Sequence, residues 1–287
     1  YNRYGSTIIP CRYEQIELTD RCFYVCRDRL KGVYNRYGSV IIPCQFSQIE
    51  CKDNAYYVTK GKYQGIYNLY GSVIIPTQYT SIYKEGGKYL VENDSLKGIV
   101  NAYGSTVIPC KYNTIEYEDG VYYVSAGGKY GIYNTYGSMI LPCRYSSIRK
   151  EGRQYLVENN GLQGIVNTYG STIIPCRYNK IQQEGNIYYV TANGKKGIFN
   201  RYGSTIISCQ YDEIISLGHR YIVKRDKKFG VYNQYGSTIL PCQFQKIECL
   251  NNGHYVTTRD KSQQVYNAYG ALLENRTNMK VVFSTED

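Results

Sequence analysis

The fold is decided by the stretch Lys31-Gly32-Val33-Tyr34-Asn35-Arg36-Tyr37-Gly38-Ser39-Val40-Ile41-Ile42-Pro43-Cys44-Gln45-Phe46-Ser47-Gln48-Ile49, because versions of it fill the chain. Its central string, Asn-x-Tyr-Gly, occurs nine times, with the asparagine at 2, 35, 68, 101, 134, 167, 200, 233 and 267. The first seven steps are 33 residues and the last is 34. A period in this range marks an array whose units are too small to bury their own apolar faces and therefore stack on their neighbours.

Within one copy, Asn35-Arg36-Tyr37-Gly38 reads as a type I turn closed by a glycine at positive φ. Its second position varies (Arg3, Leu69, Ala102, Thr135), as an exposed tip would. A short strand, Gly-[Ile/Val]-[Tyr/Val/Phe]-Asn, precedes the turn, and another such as Thr172-Ile173-Ile174 follows it. A third strand carries Tyr-x-Val, as in Tyr89-Leu90-Val91. Asn193-Gly194, Gly127-Gly128 and Asn160-Gly161 are two-residue hairpin signals. The unit is thus expected to be a three-stranded antiparallel meander, with Cys-x-[Tyr/Phe]-x-x-Ile as the connector to the next unit.

No stretch keeps the i, i+3, i+4, i+7 apolar spacing of a helix. Neighbouring apolar residues such as Ile8-Ile9 and Ile132-Tyr133 point to opposite faces of a strand, so each sheet needs cover on both sides, most simply from the preceding and following repeats. The reading is all-β: an open superhelical or solenoid stack in preference to its alternative, a closed β-propeller. Residues 1–270 form one tandem-repeat domain of eight full repeats plus the start of a ninth. Residues 271–287 depart from the pattern and are expected to be a C-terminal cap or docking tail. Tyr89-Leu90-Val91-Glu92-Asn93 and Tyr155-Leu156-Val157-Glu158-Asn159 nearly match. This two-repeat rhythm reflects either alternating surroundings or duplication of a double unit.

Composition supports a folded array. Of 287 residues, 43% are apolar and 20% charged, which excludes a disordered polyelectrolyte. The apolar runs fall far short of the roughly 20 residues of a membrane helix. The chain begins at Tyr1 inside a copy of the motif, as a processed chain or a piece of a longer one would.

The run Tyr130-Gly131-Ile132-Tyr133-Asn134-Thr135-Tyr136-Gly137-Ser138-Met139-Ile140-Leu141-Pro142-Cys143-Arg144-Tyr145-Ser146-Ser147-Ile148 resembles the WG (KWG) repeat family. The strand glycine, the turn glycine, Ile-Pro and Tyr-x-x-Ile fall at corresponding spacings. The chain resembles a divergent branch. The name-giving tryptophan is replaced by Lys31, Gln64, Lys97, Tyr130, Gln163, Lys196 and Phe229, and Asn-x-Tyr-Gly stands where the family tends to have Asp-Lys-x-Gly. The resemblance implies an all-β repeat, often in bacterial surface or secreted proteins, with no shared catalytic residues. It tilts the expected compartment towards the cell surface or extracellular space.

Two columns of residues stand out. Cys11, Cys44, Cys110, Cys143, Cys176, Cys209 and Cys242 share one repeat position, with Thr77 in the remaining copy. No Cys-x-x-Cys pair exists, which excludes a zinc ribbon or thioredoxin-like motif, and Thr77 interrupts any continuous pairing, so they are expected to be mostly free, buried structural thiols rather than cross-links. Tyr4, Tyr37, Tyr70, Tyr103, Tyr136, Tyr169, Tyr202, Tyr235 and Tyr269 form a second column. A further aromatic column runs Tyr13, Phe46, Tyr79, Tyr112, Tyr145, Tyr178, Tyr211 and Phe244. Both aromatic columns are expected to stack between repeats, with a ladder for sugars or bases as the alternative.

The net charge is +11, gathered in hairpin loops such as Lys224-Arg225-Asp226-Lys227-Lys228, and reads as a solvated face. Asn93 and Asn275 head Asn-x-Ser/Thr sequons and are candidate glycosylation sites. Two histidines and the absence of phosphate-loop, serine-hydrolase or zinc-protease signatures argue against catalysis. No cofactor, metal or sequence-specific nucleic acid is expected. The expected function is non-enzymatic: a structural or scaffolding repeat, such as the subunit of a cell-surface or extracellular filament, whose chief partner is itself. The alternative is a binding module for glycan, peptide or polyanion.

Overall fold

The computed structural model describes residues 5–19, 21–260, 262–273 and 281–285. Tyr4 and Asn275 lie outside them. The regular structure of the described residues is all strand. It falls into two compact units, Tyr1–Arg144 and Tyr145–Asp287, and each is a succession of antiparallel sheets, four-stranded except for the last of the second unit. No sheet closes on itself as a barrel, so the repeat array stands.

One sheet explains the others. Its strands are Ser81–Glu85, Lys88–Asn93, Leu96–Asn101 and Thr106–Tyr112. The first two are joined by Gly86-Gly87 and the next two by Asp94-Ser95, all four at positive φ. This is the turn geometry whose twist matches that of the flanking strands. The third turn is Asn101-Ala102-Tyr103-Gly104. The Gly104 amide donates to the Asn101 carbonyl at 3.1 Å. The Asn101 side-chain oxygen accepts from the Tyr103 amide at 3.0 Å and the Ser105 amide at 2.9 Å. A side-chain oxygen that holds two amides of its own turn accounts for asparagine at this position from Asn35 to Asn267.

The structure corrects the three-stranded reading. The supposed connector ends one sheet's last strand with Cys110–Tyr112 and opens a further strand, the first of the following sheet, with Thr114-Ile115. Only Asn113 separates Tyr112 from the next strand, Thr114–Glu118, and its amide is taken up by the Ser125 carbonyl at 2.8 Å. The sequence concealed this strand because the strand before it is bulged. Lys97 pairs with Tyr112 and Ile99 with Ile108, so Pro109, Cys110 and Lys111 all stand opposite Gly98. The bulge gives proline a place outside the hydrogen-bond ladder. It also brings the fourth strand so close that a β-carbon on Gly98 would lie 2.7 Å from the Cys110 backbone. That contact explains the glycine of the third strand.

Within each unit, successive sheets share cores, as the two-faced strands require. Ile99, Val107, Ile108 and Tyr112 of one sheet pack with Tyr122, Val124 and Tyr133 of the next. Each fully buried isoleucine contributes about 1.5–3 kcal/mol. Aromatic residues meet edge to face across these junctions. Tyr112 and Tyr133 have ring centroids 5.8 Å apart, and their hydroxyls are hydrogen-bonded at 2.7 Å. Phe46–Tyr67 and Tyr178–Phe199 keep the same geometry at 5.7 Å with one hydroxyl missing. The turn glycine completes the junction. A β-carbon on Gly104 would lie 2.1 Å from the Ile74 carbonyl oxygen of the preceding sheet.

The last sheet has five strands, ordered Leu272–Leu273, Ser262–Tyr266, Tyr255–Arg259, Lys246–Leu250 and Val281–Ser284. The tail strand lies antiparallel on the outer edge of the sheet's first strand, with Cys249 opposite Phe283 and Glu248 opposite Ser284. Phe283 packs against the core that contains Phe244, Ile247, Cys249 and Tyr255.

Candidate functional site: tyrosine-tipped turns and first-strand clefts

The two aromatic columns have opposite fates. Tyr112, Tyr145, Tyr178 and Tyr211, with Phe46 and Phe244, are buried. The turn tyrosines are not. Tyr37, Tyr70, Tyr103, Tyr136, Tyr169, Tyr202, Tyr235 and Tyr269 are 70–91% exposed. Their expected stacking between repeats is therefore corrected. The turn places the tyrosine backbone under the asparagine oxygen and leaves the ring beyond the last covered residue. The signal was present in the freely varying position just before each tyrosine. Between two such turns lies a cleft of about 450 Å³ lined by Asn200, Arg201, Tyr202, Tyr221, Gln234 and Tyr235.

The cysteine column is half-buried except for exposed Cys11, and all eleven thiols are free. The side chains sit in the bulge. Cys44, Cys110, Cys176, Cys209 and Cys242 donate to the carbonyls of Leu30, Leu96, Leu162, Lys195 and Lys228 at 2.8–3.1 Å. Burial raises the Cys44, Cys110, Cys143, Cys209 and Cys242 thiols above their ordinary value. Thiols held above their ordinary value and donating to carbonyls suit a structural role, and the column is less buried than expected.

The basic loops are partly neutralised by neighbouring repeats. Lys62 meets Asp94 at 3.3 Å, Lys84 meets Asp53 at 3.0 Å, and Lys195 meets Asp212 at 2.5 Å. Asn93 ends a strand, half-buried, with its side-chain oxygen shielded from water. His219 faces Gln234 at 2.8 Å.

Sequence reasoning missed the clefts along the first strands of the sheets in the first unit. One, of about 530 Å³, is lined by Lys31, Gln48, Ile49, Glu50, Lys52, Tyr57, Gln64 and Tyr83. Its repeat-equivalent, of about 260 Å³, is lined by Gln15, Glu17, Tyr24, Cys26, Lys31 and Ile49. Lys31 stands in both. Burial pushes the Tyr24 and Tyr57 phenols up to about 12. The Lys52 ammonium lies 4.5 Å from the Tyr57 ring centroid.

The family model described as "WG containing repeat" matches residues 98–130, one period of the array, so the resemblance read from the residues holds there. No curated protein sequence matches the chain. Among solved structures, a eukaryotic initiation factor is 8% identical over 95% of this chain and 89% of its own, with a TM-score of 0.26. Hsv2 of Kluyveromyces lactis is 11% identical over 93% and 95%, at 0.24. PorZ, a surface component of the type-IX secretion system of Porphyromonas gingivalis, is 8% identical over 94% of this chain and 45% of its own, at 0.23. At such scores the likeness carries no argument.

Proposed function

We propose that this chain, an array of WG-type β-repeats, is a non-enzymatic scaffold that assembles with further copies of itself through its tyrosine-tipped turns. The observation that supports the reading is the exposure of the eight turn tyrosines. Aromatic rings are the side chains most enriched at the centres of protein contacts. Here the same ring recurs at a fixed interval and serves no packing role in the sheet that carries it. Repetition turns a weak single contact into a strong combined one. The repeat-wide pattern also favours a structural role, since a catalytic centre needs a unique constellation of groups.

The cleft between neighbouring turns favours a second reading. Tyrosine rings flanked by Asn200 and Gln234 amides suit a glycan, which stacks on aromatic faces and hydrogen-bonds to amides.

Electron microscopy and sedimentation over a concentration series test the proposal. Wild type should form concentration-dependent assemblies. A variant with Tyr37, Tyr70, Tyr103 and Tyr136 changed to Ser should keep its melting temperature and lose assembly. Wild type that stays monomeric throughout, or a variant that assembles unchanged, would refute self-assembly through this face.

A further inference from the structure

The outward-facing amide of the first-strand isoleucine finds different acceptors on different sheets. On the last sheet the tail does it: the Ile247 amide donates to the Thr285 hydroxyl at 2.8 Å, and the Thr285 amide donates to the Ile247 carbonyl at 3.0 Å. On two other sheets a glutamine of the preceding sheet does it. Ile82 donates to Gln64 at 3.1 Å and Ile181 to Gln163 at 2.9 Å, each partner 18 residues earlier. The same offset from Ile49 falls on Lys31, which lines the cleft beside it. Lysine has no acceptor atom and cannot take up this amide. It adds a positive charge instead.

The edge strand itself also matches the occupied one. Ile49-Glu50-Cys51 repeats Ile247-Glu248-Cys249, to which the tail is paired. We propose that the edge Gln48–Lys52, with Lys31 beside it, docks an extended peptide in the register that the tail uses on the last sheet. The peptide places an apolar residue opposite Cys51, as Phe283 lies opposite Cys249. Two residues later it places an acidic side chain where Thr285 would be. That carboxylate accepts from the Ile49 amide and pairs with Lys31, a charge-assisted arrangement that a hydroxyl cannot make. The adjoining cleft of about 530 Å³ has room for the apolar residue. Glu50, the acid in that cleft, lies 3.8 Å from Lys52 and is offset by it. The Ile115 edge, also preceded by a lysine at Lys97, ends instead on Glu118, which repels an acidic peptide. The site is independent of the turn face, so its failure and that of self-assembly are read separately.

The test uses the full chain and the capped peptide Val-Val-Phe-Ser-Asp with a photoreactive benzoyl group on the Phe ring. Adducts mapped by mass spectrometry should fall on Gln48–Lys52. Lys31→Gln, which installs the residue two other repeats carry there, should weaken labelling about tenfold or more, as loss of a charge-assisted bond predicts. Gln64→Lys should open the Ile82 edge and add adducts on Ser81–Glu85. Replacing the peptide's Asp by Lys should abolish labelling. Absence of adducts on Gln48–Lys52, labelling that survives Lys31→Gln, or equal labelling by the Lys peptide would overturn the proposal.

Discussion

Replacing Gly104 by alanine tests how neighbouring sheets are held. Gly104 sits at φ +89, and a β-carbon there would lie 2.1 Å from the Ile74 carbonyl oxygen. Two penalties add. The left-handed backbone costs an L-residue about 1–2 kcal/mol. The overlap with a carbonyl of the preceding sheet forces the sheets apart or strains the turn, at about 1–3 kcal/mol. Gly127→Ala is the control. Its φ is +57 and a β-carbon there meets nothing within 4 Å. Asp94, Asn160 and Asn193 occupy the equivalent turn position at φ 48–51, so that backbone accepts a side chain. Only the conformational penalty applies to the control. The difference between the two variants is therefore the junction itself, about 1–3 kcal/mol. With a urea slope of about 3 kcal/mol/M, this separates the midpoints by up to about 1 M. Unfolding followed by circular dichroism in urea measures it. Equal midpoints for the two variants would refute the claim that the turn glycine is required by contact between sheets.

Three further outcomes follow from the same geometry. Tyr112→Phe and Tyr133→Phe each orphan a buried hydroxyl and should cost about 1–3 kcal/mol, while the double variant should cost less than their sum, as a double-mutant cycle in urea will read. Reductant should leave the melting temperature unchanged, and non-reducing mass spectrometry should find eleven free thiols; Cys249, pushed up to about 11 by burial, should be alkylated last as pH rises. Tyr24, Tyr57 and Tyr255 are raised by burial to about 12 from an ordinary 10. Folding therefore holds their protons more tightly, and the stability this supplies is complete below pH 10 and lost between about 10 and 12; phenolate absorbance should show these groups ionising together with unfolding.

What the sequence revealed depended on whether a residue's environment was local. The hairpin turns were legible because Asn160-Gly161 and Gly127-Gly128 determine their own backbone geometry. The period revealed the array, and the two-faced strands revealed the stacking of sheet on sheet. The first strand of each sheet was hidden because three residues of the strand before it face one glycine in the bulge, which breaks the alternation that identifies strands. The tyrosine columns were alike in composition, and only packing separates Tyr112, locked against Tyr133, from Tyr103, which touches no core. The first-strand clefts could not be read because their character depends on pairing residues 18 apart across two sheets. The substitution of lysine for glutamine at position 31 acquires meaning only once Gln64 is seen reaching Ile82.

The single residue between one sheet and the next determines how the chain would respond to tension. Asn113 leaves no slack, and its amide is already bonded to Ser125. In a four-stranded meander the chain enters and leaves at the same end of the sheet, on opposite edges. A pull along the polypeptide therefore opens the ladder one rung at a time instead of shearing all rungs together. Such a fold should yield at low force and in instalments, each releasing one 33-residue period, as single-molecule stretching would read. At roughly 3.3–3.6 Å per extended residue, the released chain is about 115 Å long when fully extended, less the span of the folded sheet. Stretched within either unit, the array should therefore lengthen in steps of one period, with each loss uncovering the core it shared with the next sheet.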